Sequence, residues 1–187
     1  MIKMLHKILV KPGETYFVPA RMPHAIGSGV FMLEVQEPSD WVIRPEQYCS
    51  DIRLSDNDRW GALSQEQALQ VFDYTGFTNK DLLKKVAPSN RIILKTKNMC
   101  IVELIGTQHT NAFGLWKVSI TGTAQIKLPT EFAIIVVEKG VGTIRWSDGS
   151  KQIRKSDYFM KPADLKELNY STDNILELLV CLPPNHL

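Results

Sequence analysis

Apolar and polar positions along the chain fall into three textures. From Met1 to about Arg44, short apolar runs alternate with turns. "HKILV" and "TYFVP" flank Lys11-Pro12-Gly13, a turn signal, and "GVFMLEVQ" and "DWVIR" follow. Within "GVFMLEVQ" the period is two. Phe31, Leu33 and Val35 share one face, and Met32, Glu34 and Gln36 share the other. This pattern predicts strands.

From about Pro45 to Pro88 the texture turns helical. Ser64 with Gln67 predicts a capping box ahead of "QEQALQVFDY". Thr78 with Asp81 does similar work for "NKDLLKKVA", which Pro88 closes. Trp60, Leu63 and Phe72 are expected to pack this connector onto a sheet. From about Ser89 strand texture returns. "RIILKTK", "CIVELIGT", "FGLWKVSI", "AQIKL", "FAIIVVEKG", "GTIRWSD", "KQIRK", "YFMKP" and "ILELLVCLP" are short and separated by turn residues. Such spacing predicts an antiparallel sandwich or closed jelly roll.

Composition narrows the class. The 187 residues are 44% apolar, enough for a core and against disorder. A net charge of +2, with basic and acidic residues mixed, gives no basic stripe for nucleic acid. Cys49, Cys100 and Cys181 are odd in number, widely spaced and free of any Cys-x-x-Cys. They read as reduced thiols of a cytoplasmic protein. No apolar run approaches bilayer-spanning length, and the N-terminus lacks a signal-peptide core.

One segment echoes another. "KPGETYFVPARMPH" aligns without a gap to "RKSDYFMKPADLKE", matching Gly13 to Ser156, Pro19 to Pro162, Ala20 to Ala163 and His24 to Glu167. Each is followed by an apolar run with an internal Glu. A repeat of this kind points to duplicated architecture, two related β-barrel units of which the second has lost its His.

Gly-x5-Pro-x3-Pro-His, from Gly13 to His24, resembles the second conserved motif of the cupin superfamily, small jelly-roll barrels that commonly hold a metal. The usual Gly two residues after the first Pro is Arg21 here. The longer run through Pro23, His24, Ala25, Ile26, Gly29, Glu34, Ser39, Asp40 and Arg44 resembles the active-site segment of type I phosphomannose isomerases. These zinc-dependent enzymes interconvert mannose 6-phosphate and fructose 6-phosphate. The resemblance implies a mainly β, cupin-type jelly roll. Residues 1–45 would form the C-terminal half of the catalytic-type barrel, 46–88 a helical connector, and 89–187 a second, complete but degenerate barrel. It also implies further metal-binding stretches, a Gln-x-His and a Glu after Lys-Pro, which this chain lacks. The chain therefore reads as the C-terminal part of such an enzyme.

The candidate site follows from that resemblance. His24 is the expected zinc ligand, one of about three that a catalytic zinc needs. Asp40 is the expected base that moves a proton between C1 and C2, and Arg44 supplies positive charge near the enediolate or phosphate. A surface ion pair is the plain alternative for these two. Glu34 either faces the barrel cavity or is an exposed charge on a half-buried strand. Arg21 and Lys11 lie close enough to the turn to contact a phosphate. The Gly-x-Gly at Gly140 and Gly142 reads as a tight β-turn, since no helix follows it. Two functions stand side by side: an isomerase truncated of its upstream ligands, and a non-catalytic cupin module that binds sugar phosphates or mediates assembly. Unpaired strand edges before residue 45 predict a homodimer.

Overall fold

The computed structural model describes residues 5–37, 39, 41–128, 132–165 and 167–184, in two compact units, Met1–Ala87 and Pro88–Leu187. No helix among the described residues is long and apolar enough to cross a membrane.

In the first unit a two-stranded ribbon, β1 (Tyr48–Cys49) with β2 (Ile52–Arg53), precedes three helices. Helix α1 (Asp56–Trp60) starts at a Ser55–Asp58 capping box that sequence reading passed over. The expected Ser64–Gln67 box starts α2 (Gln65–Leu69), which is shorter than the apolar run suggested. Thr78 caps α3 (Asn79–Val86) through the Asp81 backbone N–H. Trp60 is buried, with the Arg59 guanidinium 4.3 Å over its ring.

The strands expected over residues 6–10, 15–19, 29–36 and 41–44 form no ladder among the described residues. Alternation prepares a strand, but a ladder also needs a neighbouring backbone to accept and donate. Among the described residues these runs make only isolated backbone bonds to the helical part of the unit, Phe17 N–H to the Val86 carbonyl at 2.7 Å and Arg44 N–H to the Arg59 carbonyl at 2.9 Å, and neither extends into a ladder. Several of their apolar side chains are exposed, Leu9 at 82%, Trp41 at 75% and Phe31 fully, while Phe17 and Val35 are half-buried.

The second unit is an eight-stranded antiparallel sheet curled into a jelly roll. Its strands are β3 (Arg91–Lys95), β4 (Met99–Ile105), β5 (Gly114–Ile126), β6 (Ala133–Lys139), β7 (Val141–Trp146), β8 (Gly149–Arg154), β9 (Tyr158–Lys161) and β10 (Leu168–Leu182). The order is β3-β4-β5-β10-β6-β9, with β7 bridging β10 to β8. Two runs read separately, "FGLWKVSI" and "AQIKL", fuse into β5 because β10 pairs with it along its whole length.

Strand β10 organises the curl. One edge is paired with β5 throughout; the other is paired with β7 over Asn169–Ser171 and with β6 over Glu177–Cys181. It changes partner at a bulge between Thr172 and Ile175, where the Thr172 hydroxyl donates to the Val141 carbonyl at 2.7 Å. Leu176, Leu178 and Val180 point inward and are fully buried against Val118, Ile120, Ile135 and Val137. Each such side chain contributes about 2 kcal/mol of burial. Gly140 sits where β6 turns into β7. Its φ is +91°, and a Cβ there would stand 2.0 Å from the Ile175 carbonyl oxygen, so the turn admits only glycine.

The sequence echo is an echo of geometry. Glu14 N–H donates to the Lys11 carbonyl at 3.2 Å, as Asp157 does to Arg154 at 2.9 Å. Lys11 N–H donates to the Glu14 carboxylate at 2.7 Å, as Arg154 does to Asp157 at 3.0 Å. Met22 N–H donates to the Pro19 carbonyl at 3.2 Å, as Leu165 does to Pro162 at 3.3 Å. All three bonds recur at the offset that aligns the two segments.

Candidate functional site

His24 follows the Pro19–Met22 turn and is exposed. Its Nδ1 lies 3.0 Å from the Met22 carbonyl oxygen. A carbonyl can only accept, so Nδ1 carries a proton, and in the neutral ring the lone pair is on Nε2. A backbone carbonyl holding one ring nitrogen is how a metal-ligating imidazole is commonly oriented.

Arg21 stands where the cupin motif usually has glycine, and its φ is +70°. That conformation costs a residue with a Cβ about 1 kcal/mol. Two bonds offset it: Arg21 Nε donates to the Val71 carbonyl at 2.7 Å, and Asp73 N–H donates to the Arg21 carbonyl at 2.9 Å. The Asp73 carboxyl is held below its usual range, first by the Thr75 hydroxyl and backbone N–H, with the Arg21 charge adding. The Arg21 side chain is thus tied to the helical connector.

Arg44 is tied there too. Its backbone N–H donates to the Arg59 carbonyl at 2.9 Å and its Nη1 to the Asp58 carbonyl at 3.1 Å. Lys11 belongs to the first turn, where its backbone N–H is the main cause lowering the Glu14 pKa. Glu34 is exposed. Asp40 lies outside the described residues. Among the described residues, no hydrogen bond or ion pair joins Lys11, Arg21, His24, Glu34 and Arg44 to one another.

A metal can be tested against this arrangement. Among the described residues, no group of three His, Cys, Asp or Glu side chains stands close enough to hold an ion. The donors described here do not by themselves fit a catalytic zinc, which needs about three protein ligands. In the second unit Glu167, the counterpart of His24, accepts from the Gln125 side-chain amide at 2.9 Å. A cleft of about 390 Å³ in that unit is lined by core side chains such as Ile144, Ile153 and Leu168 and by none of the candidate residues.

Sequence reading missed two charge clusters on the second sheet. Arg91 grips Glu103 with two bonds of 3.1 Å, and Gln108 donates to the same carboxylate at 3.1 Å. Lys117 on β5 reaches Glu138 on β6 at 2.9 Å and Glu177 on β10 at 3.4 Å. The signal was present as single charges in apolar strands, but it needs the strand register to become pairs.

No family model matches the chain. A Streptococcus mutans mannose-6-phosphate isomerase is 26% identical over 170 residues, 91% of this chain and 49% of that protein. The chain is similar to mannose-6-phosphate isomerases over most of its length. A putative mannose-6-phosphate isomerase of Bacillus subtilis, YvyI, is 26% identical over 167 residues, 88% of this chain and 48% of the relative. The chain thus spans about half the length of the curated relatives it matches. The crystal structure of a Bacillus subtilis mannose 6-phosphate isomerase superposes with a TM-score of 0.50 at 19% identity, over 72% of this chain and 38% of that one. That likeness supports the mainly β, jelly-roll fold. The resemblance read from Gly13 to Arg44 and the similarity of the whole chain point to the same isomerases.

Proposed function

We propose that this chain supplies part of the active site of a mannose-6-phosphate isomerase, which interconverts mannose 6-phosphate and fructose 6-phosphate in the cytoplasm. The single observation that carries this reading is the His24 turn. Inside the run from Pro23 to Arg44 that resembles the isomerase segment, His24 Nδ1 is engaged by the Met22 carbonyl, and in the neutral ring Nε2 keeps its lone pair. A zinc ion of the kind the resemblance implies would take Nε2 as one ligand, and its other ligands would come from outside the described residues.

The reaction moves one proton between C1 and C2 of the sugar through an enediol. Asp40 is assigned as the base from sequence. Arg44 is assigned to the negative charge of the enediolate or phosphate, and its Nη1 bond to the Asp58 carbonyl holds the guanidinium against helix α1. Lys11, in the Lys11–Glu14 turn, and Arg21, in the Pro19–Met22 turn, are assigned to phosphate attraction.

A coupled assay for fructose 6-phosphate tests this reading. The chain is mixed with zinc and with the portion of the Streptococcus mutans relative that it does not span. Turnover of mannose 6-phosphate is expected. A mixture that forms a complex but shows no turnover overturns the assignment. The lack of a three-donor group among the described residues favours a second reading, a non-catalytic module that binds sugar phosphates. Saturation-transfer NMR with mannose 6-phosphate and the chain alone distinguishes it, since that reading requires a response without zinc or a second polypeptide.

A further inference from the structure

Alternation along the strands of the second unit puts two lysines where apolar residues belong. In β8, Lys151 stands opposite Ile144 of β7, and both Ile144 and Ile153 belong to the core. Residues opposite one another across a ladder share a face, as do residues two apart on one strand, so Lys151 lies on the core face. In β9, Phe159 and Lys161 stand opposite the buried Ile135 and Ala133. Lys161 is only 5% exposed. A lysine on the inner face of a barrel is costly unless something uses it. Both lysines line the cleft of about 390 Å³, together with Trp146, Phe159, Asp148 and Asp164. The Trp146 ring is seated on the backbone of Gly149, where a Cβ would stand 2.6 Å from it. The cleft opens at the second copy of the repeated turn: Pro162, Asp164 and Leu165 line it, and they are the counterparts of Pro19, Arg21 and Met22.

We propose that this cleft is a binding site for a hexose phosphate. Its volume is that of a small-molecule pocket, with an apolar floor and a few polar groups at its edges. The two lysines take the phosphate through charge-assisted hydrogen bonds. Lys161 already has an interaction inside the protein. An ammonium carries three donors, so that contact and an anion can share it. The indole of Trp146 gives a flat apolar face for the C–H side of a pyranose ring. Asp148 and Asp164 can only accept, which suits sugar hydroxyls. Asp148 accepts from the Ser147 hydroxyl at 3.0 Å, and a carboxylate can accept more than one such bond. Inorganic phosphate alone would leave the indole and the carboxylates without a role. A neutral hexose would leave the two cations without one. An aromatic carboxylate would bring no donor to Asp148 or Asp164. The ligand class rests on both functional readings above, which name sugar phosphates, while the site stands on the geometry of the cleft and is separate from the His24 turn.

The test is an NMR titration of the whole chain, without zinc, with mannose 6-phosphate and with glucose 6-phosphate. Free mannose and inorganic phosphate serve as separate arms. At least one hexose phosphate should shift the Trp146 indole N–H, assigned with Trp146→Phe, and the amides of residues 159–161, and the shifts should saturate. Mannose and inorganic phosphate should each bind at least about tenfold more weakly, the cost of losing one set of charged or hydroxyl bonds. Lys151 is exposed at the mouth, so Lys151→Ala should keep the native spectrum and weaken binding at least about tenfold. Gly149→Ala displaces the Trp146 ring and should also weaken binding. If that variant does not fold, Lys151→Ala decides alone. The proposal is overturned if neither hexose phosphate shifts the cleft, if shifts are confined to the Pro19–Met22 turn, if inorganic phosphate binds as tightly as the sugar phosphates, or if Lys151→Ala binds as the wild type does. Such a failure leaves the two-polypeptide turnover assay to judge the isomerase reading. A saturable cleft in a mixture without turnover keeps this site and removes the isomerase reading alone.

Discussion

Gly13 and Ser156 hold the same left-handed position in two copies of one turn, with φ of +86° and +76°. Glycine takes that conformation freely, whereas serine is strained there. The first copy therefore has the better residue for its backbone. Ser156→Gly is expected to raise the stability of the second unit by about 0.5–1 kcal/mol, and Gly13→Ser to lower that of the first by about 1 kcal/mol. Urea unfolding of the two variants, followed by a probe in each unit, checks both signs. A loss of stability in Ser156→Gly would show that the serine side chain contributes more than its strain costs.

Glu103 should make the second unit sensitive to acid. Burial raises its pKa, but the Arg91 and Gln108 bonds outweigh burial and the net direction is down. A carboxylate with a lowered folded-state pKa adds stability that is complete above its unfolded value. That stability is lost as pH falls through the folded value. Glu103→Gln should therefore cost about 1 kcal/mol at neutral pH, toward the low end because the Arg91 side chain is 69% exposed. The gap between wild type and variant should close in acid below the ordinary glutamate range. A gap that stays constant from neutral to acid pH would show that the charge of Glu103 is not what stabilises the strand pair.

How far the fold could be read in advance depended on whether each segment carries its own partners. Ser64 and Thr78 announce helices because a cap is a local bond between residues three apart. Strands β3 to β10 were legible as strands because every apolar run has a neighbouring run within the same unit. What was not legible was their joining. Leu168–Asn174 lies ahead of the run "ILELLVCLP", yet it belongs to β10, because Thr172 and the bulge bend the strand without ending it. Residues 29–36 show the opposite failure: a clear period of two and no ladder among the described residues. At the site, the His24 motif was legible from residue identities at fixed spacing. The ties of Arg21 to Val71 and of Arg44 to Asp58 were not, since they cross 50 and 14 residues of chain.

Tyr170 offers a test of the core of the second unit. Its ring is 1% exposed, and its hydroxyl has no hydrogen-bond partner among the described residues. Burial alone drives its pKa upward. An unpaired buried hydroxyl costs its desolvation with nothing in return. Tyr170→Phe is expected to leave the fold intact and to stabilise it by up to about 1 kcal/mol, read as a higher melting temperature. A fall of more than about 1 kcal/mol would mean that the hydroxyl has a partner that the variant loses.

The two copies of the turn give the isomerase reading an internal control. His24 and Glu167 occupy matched positions, but only His24 offers an imidazole, oriented by a backbone carbonyl at Nδ1 so that Nε2 is the nitrogen left to ligate. Glu167 is engaged by Gln125. In the two-polypeptide assay His24→Ala should lower kcat/KM by at least about 100-fold, since weakening even the groups that orient a metal ligand costs 10- to 100-fold. His24→Ala should also reduce the zinc retained per complex, measured by elemental analysis. Glu167→Ala should leave kcat/KM within about twofold, as a surface change outside any such site does. Equal losses in the two variants would place the effect in the shared turn rather than in the imidazole. A His24→Ala complex with full activity and full zinc would make His24 an ordinary turn residue.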